Sequence, residues 1–209
     1  MVSLRMPEPI ADKSPAVPWL RFRPAWGPNS LRPVTGLIKL NLWLRDHLPP
    51  GDKFMVELGT YGGESATIFS SFDHWTHISC VDRWLAAPPL EAAKERLVEG
   101  LHTGRVSLHQ KLTVEAAQDP HYAEVCPHGD PHFIYIDADH SYKGISADLQ
   151  AWYPHLAPGG IIGGHDYNPR WEGVVRAANE FAVTHQLDIL RFEDTSFLLV
   201  PRDCGIAFQ

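Results

Sequence analysis

The stretch 56–69, VELGTYGGESATIF, constrains this chain more than any other. An apolar run reaches the acid Glu57, a turn follows with Gly59, Gly62 and Gly63, and a helix-compatible segment comes next. In open α/β sheets ligands lie beyond the carboxyl ends of the strands, so this first turn is the expected ligand site. A dinucleotide fingerprint needs glycine at the first and third positions of the turn, where pyrophosphate approaches the backbone. Tyr61 occupies that third position, which disfavours pyrophosphate. Glu57 suits a cationic amino group, and a helix N-terminus carrying Ser65 suits a carboxylate. An amino acid moiety such as that of methionine has both ends. The alternative is a glycine turn that only packs strand on helix.

The rest of the chain repeats the alternation. Short apolar runs at 54–58, 77–81, 106–109, 133–137 and 160–163 are separated by amphipathic stretches. Leu37, Leu40, Leu44 and Leu48 recur at helical spacing before Pro49, Pro50 and Gly51. Ile145, Leu149, Trp152 and Leu156 predict a helix over 145–156, and another is expected near 174–183. Continuous rather than alternating apolar strands indicate a parallel sheet covered on both faces. The runs 187–192 and 196–200, split by three polar residues, predict a hairpin. The expected fold is thus a doubly wound, mostly parallel α/β sheet of seven strands ending in an antiparallel hairpin. Residues 1–33 hold seven prolines among Trp19, Phe22 and Trp26, and read as an extended arm before a domain over 34–209. Three large aromatics argue that the arm packs on the domain or on a second copy, which would make a homo-oligomer.

A net charge of −7 and a pI near 5.9 indicate no phosphate-tracking basic surface, so nucleic acid is not an expected partner. No run of eighteen apolar residues predicts a membrane span, and the start 1–15 has no signal-peptide pattern. Cys80, Cys126 and Cys204 are scattered and odd in number, unlike a disulfide framework. These features favour the cytoplasm.

Acids and histidines recur at strand ends. Asp82 closes HISCVD at a distance from Glu57 that fits a group gripping ribose hydroxyls. IYIDADHSY and IIGGHDY put Asp137, Asp139, His140, His165 and Asp166 at the ends of two strands. Burying so much acid is costly without a cation or hydrogen-bonded partners, and oxygen with imidazole suits a divalent metal. The rival reading makes Asp139 or Asp166 a helix or turn cap and the histidines surface. His121, Cys126, His128 and His132 resemble a zinc cluster in content but not in spacing, and read as a polar loop. No G-x-S-x-G elbow or H-E-x-x-H helix appears.

Together ELGTYGGESA, CVD, IDADHSY and GGHDY resemble class I S-adenosylmethionine-dependent methyltransferases of the catechol O-methyltransferase-like group. They are still more similar to bacterial O-methyltransferases acting on macrolides or antibiotic sugars, over about residues 50–200. The resemblance implies that Glu57, Gly59, Tyr61 and Ser65, with Thr60 and Gly63 in the same turn, surround the methionine end of the cofactor. It places Asp82 on the ribose, Leu112 and Thr113 on the adenine side, and Asp137 against both cofactor and metal. It implies a metal triad of Asp137, His165 and Asp166, departing from relatives at His165, where a carboxylate is usual. The implied cation is magnesium or manganese, and imidazole there suits hard magnesium less and a softer divalent ion more. The implied base is Asp139 or His140. Transfer of a methyl group to a hydroxyl of a small-molecule acceptor follows. The rivals are metal-independent transfer to nitrogen or another acceptor, a non-haem metal oxygenase, and a non-catalytic cofactor-binding subunit.

Overall fold

The computed structural model describes residues 35–202. The proline-rich arm and Cys204 lie outside the described residues. Helix α1 (Thr35–His47) precedes strand β1 (Phe54–Leu58), which leads through the glycine turn into α2 (Glu64–Ser70). There follow β2 (His77–Asp82), α3 (Ala87–Arg96), α4 (Val98–His102), β3 (Val106–Gln110), and the short helices α5 (Thr113–Ala116) and α6 (His121–Val125). Then come β4 (Phe133–Ile136), α7 (Tyr142–Trp152), β5 (Ile161–Gly164), α8 (Glu172–His185), β6 (Leu187–Arg191) and β7 (Phe197–Pro201).

The strands form one sheet in the order β3-β2-β1-β4-β5-β7-β6. The first five are parallel, and β7 runs antiparallel between β5 and β6. The hairpin read from the sequence is present, and its second strand is the one that joins the sheet. Strand alternation divides the core. Val56, Leu58, Ile134 and Ile136 meet Ile145, Leu149, Trp152 and Phe181 of α7 and α8. Met55, Phe133 and Tyr135 face Leu37, Leu40, Leu44 and Phe69 of α1 and α2. The buried Asn41 is satisfied on both ends: it donates to the Leu37 carbonyl and accepts from Trp75 Nε1 at 2.9 Å.

Two expectations are corrected. The helix over 145–156 starts earlier and stops at Trp152, because Pro154 cannot supply the next intrahelical N–H. The polar loop expected around His121–His132 is helical over its first five residues, with Val125 buried as its anchor. Among the described residues no helix is long and apolar enough to cross a membrane.

Candidate functional site

Register brings the site together. Leu58 lies beside both Val81 and Ile136, and Ile136 beside Gly164, so β1, β2, β4 and β5 end at one level. Glu57, Asp82, Asp137 and His165–Asp166 therefore gather at a common edge, as the sequence pattern predicted.

The first turn is held by the chain itself. Asp82 accepts the Tyr61 N–H through Oδ2 and the Trp84 N–H through Oδ1, both at 2.8 Å. Trp84 Nε1 donates to the Tyr61 carbonyl at 2.7 Å, and Arg96 Nη1 to the Gly62 carbonyl at 2.6 Å. Tyr61 has φ of 47°, a left-handed conformation that costs a non-glycine residue energy unless its surroundings fix it. Those four bonds fix it. Gly63, at φ of 78°, starts α2. At Gly59 a Cβ would stand 2.1 Å from the Asp137 carbonyl, so glycine is required there by the neighbouring strand, whatever else it serves. That contact also seats the turn directly against the acid cluster. Glu57, Thr60 and Ser65 are buried around the turn, and Tyr61 is exposed at its rim. Trp84 and Arg96 were not read from the sequence: no spacing links either to the turn.

On the other side Leu112 is half exposed in an extended conformation and Thr113 opens α5. The Thr113 hydroxyl donates to the buried Asp148 of α7, and its carbonyl accepts from Trp152 Nε1. Asp148 was not singled out in the sequence, where it looks like one more polar position of an amphipathic helix.

At the ends of β4 and β5, ligand atoms of Asp137, His140 and Asp166 lie within 4.8 Å of one another. His140 Nε2 is 3.3 Å from Asp137 Oδ1 and 3.1 Å from Asp166 Oδ2. His165 Nδ1 faces the same acids, 3.3 Å from Asp166 Oδ1 and 3.9 Å from Asp137 Oδ1. Its Nε2 is 3.5 Å from Thr195 Oγ1. Asp166 takes φ of 62°, a conformation aspartate tolerates better than most residues. The hydrogen bond with Asp137 raises His140 above its ordinary pKa. Its ring packs on Trp171 with centroids 4.6 Å apart, a neighbour the sequence did not reveal. Asp139 stands apart and exposed: its Oδ1 accepts the Ser141 N–H at 2.9 Å, and the Ser141 side chain then caps α7. Lys143 is exposed on the same helix.

Residues 56–167 match the model of a family described as a methyltransferase domain. The fold resembles the apo structure of a TDP-rhamnose 3'-O-methyltransferase of calicheamicin biosynthesis, with TM-score 0.59 and 20% identity, covering 81% of this chain and 80% of that one. It also resembles an O-methyltransferase from Bacillus cereus in complex with SAH, with TM-score 0.59 and 17% identity, covering 83% and 82%. A relative by sequence is an uncharacterized protein of Acanthamoeba polyphaga mimivirus, 26% identical over 129 residues, or 61% of this chain. The chain spans 58% of that relative's length.

Proposed function

This chain belongs to the methyltransferase-domain family, and on that premise we propose that it moves the methyl group of S-adenosylmethionine to a hydroxyl of a small molecule, with a divalent cation at the acid cluster. The observation that carries the reading is the meeting of Asp137 and Asp166 with the imidazoles of both His140 and His165 against the glycine turn. The donor chemistry fits both groups. Glu57, buried at the end of β1, matches the ammonium of the methionine end, with Gly59, Thr60, Tyr61, Gly63 and Ser65 around it. Asp82 retains lone pairs for ribose hydroxyls beside its two backbone bonds. Leu112 and Thr113 flank the adenine. Asp137, Asp166 and His165 offer two oxygens and a nitrogen, a set suited to manganese or a softer ion as well as magnesium.

Bound adenosylmethionine supplies an electrophilic methyl, and a cation held by these residues supplies Lewis acidity that lowers the pKa of the acceptor hydroxyl. The chain does the rest. The turn and Asp82 orient the sulfonium for in-line attack. On transfer the acceptor oxygen would gain the methyl group, the bonding pair would leave with the departing thioether, and His140 would take the hydroxyl proton. We assign that proton to His140 because its side chain is 24% exposed against 13% for His165, so it can pass the proton to solvent. Asp139 is the weaker candidate, its Oδ1 being engaged in the turn before α7.

One observation favours a second reading. His140 lies between the two acids with a raised pKa, so an imidazolium can balance them without any metal. Transfer would then be metal-independent, and the hydroxyl proton would pass to the exposed carboxylate of Asp139, since an imidazolium cannot take it. Assay of labelled methyl transfer to a panel of hydroxylated small molecules, before and after chelation and with manganese or magnesium restored, separates the two. Loss and recovery support the cation; undiminished transfer by metal-free protein supports His140 alone.

A further inference from the structure

Leu112 and Thr113 sit at the start of α5, a helix of four residues with no side-chain cap. So short a helix does not hold its own shape, since a single turn barely covers the cost of nucleation. Its restraint comes from α7. Asp148 Oδ1 accepts the Thr113 hydroxyl at 2.5 Å, and Trp152 Nε1 donates to the Thr113 carbonyl at 2.8 Å. The two side chains lie four residues apart on one face of α7, one helical turn from each other. Both are inside the protein, Asp148 with 2% of its surface exposed.

A carboxyl is an expensive choice for such a place. Burial pushes Asp148 up to about 6, with the charge of Asp139 adding to the effect against the Thr113 hydrogen bond. An apolar side chain of similar volume would pack there without that cost. What it could not do is accept the Thr113 hydroxyl.

We propose that Asp148 is a positioning residue for the cofactor: through the Thr113 hydroxyl it fixes the Leu112–Thr113 backbone against which the adenine lies. The inference rests on the adenosylmethionine reading above. The same helix is capped by Ser141, directly after Asp137–His140, so α7 ties the adenine side of the site to its acid cluster through one rigid element. Leu112, half exposed, supplies the apolar surface that this clamp holds in place.

Calorimetric titration of the full chain with S-adenosylhomocysteine tests it, using Asp148→Asn, Asp148→Leu, Thr113→Val and the Thr113→Val/Asp148→Leu double variant. Asp148→Leu and Thr113→Val should each weaken binding about tenfold, the effect of losing one such hydrogen bond. Asp148→Asn keeps the acceptor oxygen and should stay within about threefold of the wild type. The double variant should be no weaker than either single one, because both remove the same contact. Additive losses, or Leu and Val variants that bind like the wild type, would overturn the proposal. So would an Asn variant as weak as the Leu variant. If Asp148→Leu does not fold, Thr113→Val and Asp148→Asn decide the matter by their opposite expected outcomes. A wild-type chain that fails to bind S-adenosylhomocysteine overturns the donor reading itself, a result distinct from binding that no variant changes.

Discussion

At the ends of β1 and β2 the polar groups that shape the turn are bonded within the chain: Asp82 to two backbone N–H groups, Trp84 and Arg96 to carbonyls of Tyr61 and Gly62. At the ends of β4 and β5, two acids and two imidazoles face one another at 3.1–3.9 Å. Among the described residues, the His140 imidazole lies between the two acids. In the first region the backbone of the turn is tied down by its bonds to Asp82, Trp84 and Arg96, while the buried Thr60 hydroxyl makes none of them. In the second, a proton on His140 or, on the proposed reading, a cation would balance the acids. On the proposed reading labour divides accordingly: shape would be fixed where the cofactor is held, and charge would stay adjustable where the acceptor reacts.

The largest expected effects break the second region. His140→Ala should lower methyl transfer by about 10²–10⁴-fold, the usual contribution of a positioned base, with manganese affinity nearly intact. Asp166→Ala should lower both, since it removes a ligand. His165→Ala removes a ligand and is expected to weaken manganese binding by more than the roughly 10–100-fold that losing an outer partner causes, while S-adenosylhomocysteine still binds. If metal affinity instead follows His140 and ignores His165, the two imidazoles exchange roles.

Asp82→Ala probes the first region. Loss of a charged acceptor should weaken cofactor binding by about 1–3 kcal/mol, and the melting temperature should fall as well, because two backbone N–H groups lose their partner. Lowered melting with unchanged binding would make Asp82 a structural cap only.

The smallest effect concerns stability against pH. Asp148 has a folded pKa near 6, above the ordinary 3.8, so the fold favours its neutral form. Its contribution is full below about 3.8 and lost as pH rises through about 6. Asp148→Asn cannot ionise, so it should gain stability over the wild type as pH goes from 4 to 7, by on the order of 2 kcal/mol. Denaturant unfolding at the two pH values measures this; a constant difference would show that Asp148 does not titrate in that window.

Much of this was legible because strand ends and turns leave local signatures. The glycine turn, Asp82 and the paired acids were each visible as a run of apolar residues stopping at a polar one, and parallel register then brought them to one edge. The hairpin at 187–200 showed itself through three polar residues between two apolar runs. What could not be read were contacts made across the fold by residues of ordinary appearance. Arg96 reaches Gly62 from the end of α3, and Asp148 reaches Thr113 across 35 positions of sequence. The partner of the acids was half visible: His140 and His165 were both named, but only packing brings His140 Nε2 between Asp137 and Asp166. Leu156 misled, since its spacing continued a helix that Pro154 had already stopped.

The division of labour is tested most directly by calorimetry on chelated protein, titrated first with S-adenosylhomocysteine and then with manganese. S-adenosylhomocysteine should bind the metal-free chain within about threefold of its affinity for the metal-loaded one, since the two regions share no ligand group but Asp137. Manganese should then bind at one ion per chain, and that binding should vanish in the Asp137→Asn/Asp166→Asn double variant. Loss of S-adenosylhomocysteine binding on chelation, or manganese binding that persists without the two acids, would contradict it.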